Sequence, residues 1–188
     1  MQEKVDVIII GAGSAGLAAL REVRKRTERV VVVNDGPYGT TCARVGCMPS
    51  KALIEAANAF HARRKHETFG IRGSDALTVD LPAVLRRVRE LRDRFVAGTL
   101  EATESLGGRS IAGRARLLGP TRVDVDGRVF EARRIIIATG SRPIVPAPWK
   151  ALGERVLTSD SVFEQASLSR RIGVVGLGAI GIEFAQAL

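Results

Sequence analysis

Apolar positions along the first third of the chain follow two periods. Val5, Val7, Ile8, Ile9 and Ile10 form a short, almost unbroken and largely β-branched run, which predicts a strand buried on both faces. A glycine-rich turn follows at Gly11–Gly16. Leu17, Leu20 and Val23 then recur at helical spacing, predicting a helix to about Arg26. Val30–Val33 is a second buried strand. A strand, helix and strand within about 30 residues predict a parallel βαβ unit with a right-handed crossover.

Downstream, Gly36, Pro37 and Gly39 mark a loop over Asn34–Thr41, and a helical stretch runs from the two cysteines to about Lys65. After a turn region at Phe69–Asp75, a long helix is expected over Leu81–Leu106, with Pro82 in its first turn and Gly107-Gly108 ending it. Ile111–Leu117, Arg122–Val125 and Arg128–Glu131 alternate as a small antiparallel unit turning at Asp126-Gly127. Ile135–Ile137 reads as a further buried strand, closed by Ala138-Thr139-Gly140.

Pro143, Pro146 and Pro148 form a stiff connector. It suggests one domain over residues 1–145 and a second unit over 146–188. In the second, Ile172–Val175 is expected to be a strand before another glycine turn and a helix. A strand and so short a helix cannot bury a core, so this unit is expected to be the opening of a domain the chain does not contain. The fold class is α/β: a parallel sheet with helices and a small antiparallel β unit, then the start of a second α/β unit.

Composition narrows the function classes. With 188 residues and 45% hydrophobic content the chain can build a core, and 26% charged residues make intrinsic disorder an unlikely state. No apolar run approaches the roughly 20 residues a membrane span requires, and the N-terminus lacks a secretory pattern. A soluble, cytoplasmic protein is expected. The formal charge is +9, from 29 basic and 20 acidic residues. The arginines are spread along the whole chain and aromatic content is only 4%, so the charge points weakly to nucleic acid, and no such partner is expected.

Gly11, Gly13 and Gly16, with Ser14 and Ala15 between them, lie between a strand and a helix. In that setting the first glycine makes the turn, the second admits a pyrophosphate and the third permits helix–sheet packing; the helix N-terminus attracts the anion. The alternative is a turn that only packs. A ribose-binding acid is expected about 20 residues on. Asn34 occupies that slot and Asp35 follows it; the sequence leaves open which of them serves. Gly176, Gly178 and Gly181 repeat the pattern about 165 positions later, suggesting a second dinucleotide.

Cys42 and Cys47 are the only cysteines. Residues five apart in a regular helix differ in height by about 7.5 Å, whereas a disulfide holds its Cα atoms about 4.4–6.8 Å apart. If the two are bonded, the segment is not a regular helix throughout; Gly46 and Pro49 would permit the distortion. The readings are a reactive redox pair, with thiol pKa lowered by the helix start and Lys51, or two buried structural cysteines. No metal site is expected.

The run Thr40-Thr41-Cys42-Ala-Arg-Val-Gly-Cys47-Met-Pro-Ser-Lys51, together with Gly11–Gly16, Phe69-Gly70-Ile71, Ile135–Pro143 and Gly176–Glu183, resembles the FAD-dependent pyridine nucleotide–disulfide oxidoreductases. The resemblance covers nearly the whole chain. It implies a Rossmann-like FAD-binding domain followed by the start of a Rossmann-like NAD-binding domain. It also implies a Cys42–Cys47 redox disulfide in which Cys42 exchanges with substrate and Cys47 faces the flavin. Lys51 would lie by the flavin and pair with Glu183. Gly39, Thr40, Thr41, Ala115, Thr139, Gly140 and Ser141 would line the flavin nucleotide, and Gly176, Gly178 and Gly181 would take NAD or NADP.

The Pro-Ser-Lys ending looks more like dihydrolipoamide dehydrogenase or mercuric reductase than glutathione reductase. A small-molecule or lipoyl-bound dithiol, most of all dihydrolipoamide, is therefore the implied substrate, with a mercuric or glutathione reductase-like activity as the alternative. Two departures stand out: Asn34 where the family usually has Glu, and Arg44 where it often has Asn. The family's homodimer places a catalytic histidine near the partner's C-terminus. His61 and His66, in a basic helical stretch, are expected to be solvated instead. An inactive FAD-binding fragment is the non-enzymatic reading of the chain as given.

Overall fold

The computed structural model describes residues 2–188, which divide into two compact units, residues 2–41 with 96–142 and residues 42–95 with 143–188. The first is built on a six-stranded sheet. Its strands are β1 (Gln2–Ile10), β2 (Val30–Asn34), β3 (Ser110–Ala112), β4 (Ala115–Leu117), β5 (Arg122–Val125) and β6 (Arg128–Ile137), in the order β3-β2-β1-β6-β5-β4. β1 runs parallel to β2, with Val7 opposite Val30 and Ile10 opposite Val33, and parallel to β6, with Ile10 opposite Ile137. Helix α1 (Ser14–Arg24) makes the crossover from β1 to β2.

Alternating side chains of β1 and β2 feed two cores, as a doubly covered parallel strand requires. Ile8, Val31 and Val33 pack with Ile111, Val123, Val125, Phe130 and Ala132 on one face. Ile9, Val30 and Val32 pack with Ala12, Leu20 and Leu106 on the other. Both faces of β1 at Ile8 and Ile9, and of β2 over Val30–Val33, are therefore closed to water.

The antiparallel portion differs from the sequence expectation in its joints. Ile111–Leu117 is not one strand. It breaks at Gly113, where φ is +157° and an added Cβ would stand 2.4 Å from Asp126 Oδ2. β3 therefore pairs with β2 and β4 with β5, on opposite edges of the sheet. Arg128–Glu131 and Ile135–Ile137 are instead one continuous strand, because exposed Arg133 and Arg134 are carried along the same ladder against β1. Ile137 is 63% exposed rather than buried. The Asp126-Gly127 turn forms as expected, both residues taking positive φ.

The second unit holds α2 (Thr41–Val45, beginning one residue before it), α3 (Cys47–His61), the first part of α4 (Leu81–Glu104), two short helices, α5 (Ala147–Lys150) and α6 (Ser159–Val162), and α7 (Ala179–Ala187). Leu53, Val88, Val162 and Phe163 form its core with Val84, Leu168, Phe184 and Ala187 at the margin. The Phe163 and Phe184 rings meet at 5.6 Å between centroids. Arg89 donates to the carbonyls of Phe163 (3.1 Å) and Gln165 (2.8 Å), satisfying two carbonyls past the end of α6.

Three expectations are corrected in this unit. The helix over the cysteines is not continuous to Lys65. It breaks at Gly46 and tightens into a 3-10 segment over Ala62–Phe69. Ile172–Val175 is not a strand: among the described residues no strand pairs with it, and Val175 stays 71% exposed. β-Branched apolar residues favour a strand only where a ladder receives them. His66 is not simply solvated either, since its Nδ1 lies 2.7 Å from the hydroxyl of buried Ser74.

Candidate active site

The glycine turn is fixed by three contacts to backbone. Gly11 N–H donates to Val33 C=O at 2.7 Å, and Gly11 takes φ +109°. A Cβ there would lie 2.2 Å from the Ala138 carbonyl, and one on Gly16 would lie 1.8 Å from the Gly11 carbonyl. Neither position admits a side chain, so β1, the end of β6 and α1 converge on the turn. Gly13 is the opposite case. It begins α1, with nothing within 4 Å of an added Cβ, no side-chain cap and no acidic residue in the first turn. The first N–H groups of α1 and the open space beside Gly13 suit an anionic diphosphate.

Asn34, the last residue of β2, is turned toward this loop. Ala12 N–H donates to Asn34 Oδ1 at 3.0 Å, and Asn34 Nδ2 donates to the Gly36 carbonyl at 2.9 Å. Asp35 is exposed. Thr139 lies beside the turn, its Cα 3.3 Å from the position of a Gly11 Cβ, and Thr139, Gly140 and Ser141 are all exposed. Ala115 sits at the margin of the core that β5 and β6 close. Gly39 and Thr40 are buried, at φ +104° and +55°. A β-branched residue in the left-handed region is strained, a feature that clusters at functional segments and that the sequence did not disclose. Thr41 is exposed and opens α2.

In the second unit, Gly46 adopts φ −121° and ψ −122°, ending α2 and letting α3 start anew at Cys47. This break turns two residues five apart toward one another. Cys42 and Cys47 are not joined as a disulfide, and they lie near enough for the Cys47 thiol and backbone N–H to bear on the Cys42 thiol. Cys42 is partly buried and Cys47 exposed.

Burial pushes the Cys42 thiol up. The hydrogen bond to Cys47 and the proximity of charge there push it further, against a smaller lowering by the Cys47 N–H. The expected lowering by the helix start and Lys51 therefore does not hold for Cys42.

One turn further along α3, Lys51 Nζ stands 2.5 Å from Glu183 Oε1 on α7. Ser50 Oγ lies 3.1 Å from the Cys47 carbonyl and 3.5 Å from Glu183 Oε2. Glu183 lies beyond the first turn of α7, so the helix dipole does not account for its placement. Ser50, buried between the cysteine and the ion pair, was missed in the sequence. Its signal was the i, i+3 spacing from Cys47 that stacks both on one helix face.

The second glycine turn reproduces the first. Gly176 has φ +110° against +109° for Gly11. Gly178 begins α7 with φ −73° and ψ +173°, and a Cβ on Gly181 would lie 2.0 Å from the Gly176 carbonyl.

Residues 5–188 match the family described as pyridine nucleotide-disulphide oxidoreductase. The chain belongs to that family. The oxidoreductases of this family use FAD and NAD(P). The chain is 33% identical to a dihydrolipoyl dehydrogenase of Chlamydia pneumoniae over 99% of its own length and 41% of that protein. It is 38% identical to dihydrolipoyl dehydrogenase 3 of Pseudomonas aeruginosa, over 97% and 40%. A mercuric reductase of Lysinibacillus sphaericus is 29% identical over 98% of the chain and 34% of that protein.

Among solved structures, the HOCl-induced flavoprotein disulfide reductase RclA from Escherichia coli, as its Cu(II) complex, superposes with a TM-score of 0.77. That match has 24% identity and covers 98% of this chain and 40% of the other, showing the shared fold. The chain thus spans about two fifths of the dihydrolipoyl dehydrogenases it matches. For an oxidoreductase of this family the first glycine turn fits a bound FAD: its two crowded glycines and one open one form a cradle that a side chain would fill.

Proposed function

We propose that this chain is the flavin-holding and dithiol-bearing portion of an enzyme passing electron pairs between a dithiol and NAD(P), with a dihydrolipoamide-type dithiol as substrate. The pairing of Cys42 with Cys47 across the Gly46 break, one turn from Lys51 and Glu183, is the observation that carries this reading. The whole enzyme, of which this chain covers about two fifths by comparison with its relatives, acts on that dithiol as a homodimer. In it, residues 1–145 serve the flavin and 146–188 begin the nicotinamide-binding part.

With Cys42 and Cys47 joined as a disulfide, a substrate thiolate attacks Cys42 Sγ and Cys47 leaves as a thiolate. The second substrate thiol then gives up its proton and attacks the substrate sulfur of the mixed disulfide, releasing Cys42, which takes that proton up readily because its burial and its neighbour disfavour the anion. The substrate leaves as a disulfide and the chain holds the electron pair as a dithiol. FAD, when bound, supplies two-electron transfer from that dithiol to the nicotinamide. Lys51 provides positive charge one turn from Cys47, and Glu183 fixes where that charge sits. Thr139–Ser141 and the α1 N-terminus hold the nucleotide.

The relatives named dihydrolipoyl dehydrogenase favour this substrate over the mercuric ion. The test is turnover of dihydrolipoamide with NAD⁺ by the whole enzyme. Cys42→Ser or Cys47→Ser should abolish it by several orders of magnitude, as expected for a covalent nucleophile or its partner. Wild-type turnover in either variant would refute the reading.

A further inference from the structure

We infer that Asn34 is a positioning residue, an amide brace that sets the glycine turn, and that it does so in place of a ribose-binding carboxylate. Three chain segments meet on this one residue. Its Oδ1 accepts from Ala12 N–H in the turn, and its Nδ2 donates to the Gly36 carbonyl in the loop after β2. Its own carbonyl accepts from Gly113 N–H at 3.0 Å, where β3 ends.

The chemistry selects the residue type. Ala12 is almost fully buried, and its N–H requires an acceptor; the Gly36 carbonyl, in the exposed loop after β2, takes the amide's N–H. A backbone donor on one side and a backbone carbonyl on the other leave only one orientation for the amide. Only Asn presents an acceptor and a donor on one planar head at this reach. Aspartate has the same shape but offers two acceptors, so one oxygen would face the Gly36 carbonyl without a hydrogen between them. Glutamate is longer by a methylene.

Two consequences follow. Ala12 N–H is consumed inside the protein, leaving the α1 N-terminal N–H groups from Gly13 onward for the diphosphate. A ribose bound at the end of β2 would meet a neutral amide already engaged on both sides, while Asp35 is exposed. The adenosine end is therefore held chiefly by the turn and the diphosphate, not by a carboxylate at the end of β2.

The role of Asn34 in shaping the turn stands on geometry alone; its effect on nucleotide affinity rests on the flavin reading above. Amide hydrogen exchange at Ala12, measured on the chain without added nucleotide, tests the first. Protection should be high in the wild type and lost in Asn34→Ala. FAD titrated by fluorescence quenching tests the second, with affinity about tenfold weaker in Asn34→Ala for two lost neutral hydrogen bonds.

Asn34→Asp keeps the shape and guards against loss of fold. Its ionised form still accepts from Ala12 N–H but cannot donate to Gly36, whereas its protonated form can do both, so Ala12 should stay protected while FAD affinity recovers as pH falls through the carboxyl range. The wild-type values should stay flat over the same range. Unchanged Ala12 exchange in Asn34→Ala overturns the brace, and loss of Ala12 protection in Asn34→Asp, which keeps the acceptor, overturns the assignment of that protection to Oδ1. Failure of the wild type to take up FAD overturns the flavin reading instead, and the exchange experiment still decides the role of Asn34.

Discussion

Lys51 and Glu183, 132 positions apart, form an ion pair with Nζ 2.5 Å from Oε1, and the contact joins α3 to α7 within one unit. Both side chains are substantially exposed, 58% and 37%, so solvent screens the pair. Glu183→Gln is therefore expected to cost less than about 1 kcal/mol of folding stability. For 188 residues that lowers the melting temperature by only a few degrees. In the whole enzyme the same change should slow dithiol oxidation far more than it destabilises. Differential scanning calorimetry and steady-state rates on one preparation separate these effects.

The two crowded glycines and the open one give contrasting variants. Gly16→Ala forces a Cβ to within 1.8 Å of the Gly11 carbonyl and should lose both several kcal/mol of stability and FAD binding. Gly13→Ala meets no protein atom, so thermal stability should be almost unchanged while FAD affinity falls, because the methyl enters the space kept for the diphosphate. Paired melting curves and FAD titrations decide it.

Cys42 should titrate late. Its thiol stays protonated to higher pH than an ordinary cysteine, so its alkylation by iodoacetamide should reach half its maximal rate above the usual thiol range. Cys47→Ser removes the neighbouring charge and thiol, which should move that midpoint down, though burial keeps it from falling the whole way. Mass-resolved alkylation rates against pH provide the check.

Phe163 is 1% exposed and packs on Phe184. Phe163→Ala should cost about 3–5 kcal/mol, the range for deleting a buried aromatic ring. Chemical denaturation should place the loss in the unit that carries Cys42 and Cys47, since that core holds Leu53, Val88 and Val162.

The parts of the chain that could be read directly were those where local pattern and final packing agree. β1, the glycine turn, α1 and β2 follow from unbroken apolar runs because both strand faces are buried. The Asp126-Gly127 hairpin follows from a turn that needs two positive φ values. Where pairing depends on distant partners, the pattern misled: Gly113 sends β3 and β4 to opposite edges, and Ile172–Val175 finds no ladder despite its β-branched residues.

The candidate cluster was suggested by residue type, but its geometry was not. The motif named Cys42, Cys47, Lys51 and Glu183, whereas the buried Ser50 bridge, the left-handed Thr40 and the Asn34 brace arise only from tertiary contacts.

In the proposed function, Cys42 and Cys47 store an electron pair in addition to the one a flavin takes. The most direct test is an anaerobic reductive titration of the FAD-loaded oxidised protein, monitored by flavin absorbance. Complete reduction of the wild type is predicted to consume two electron pairs per flavin, and that of Cys42→Ser or Cys47→Ser only one. A wild type that is fully reduced by a single pair would contradict the account.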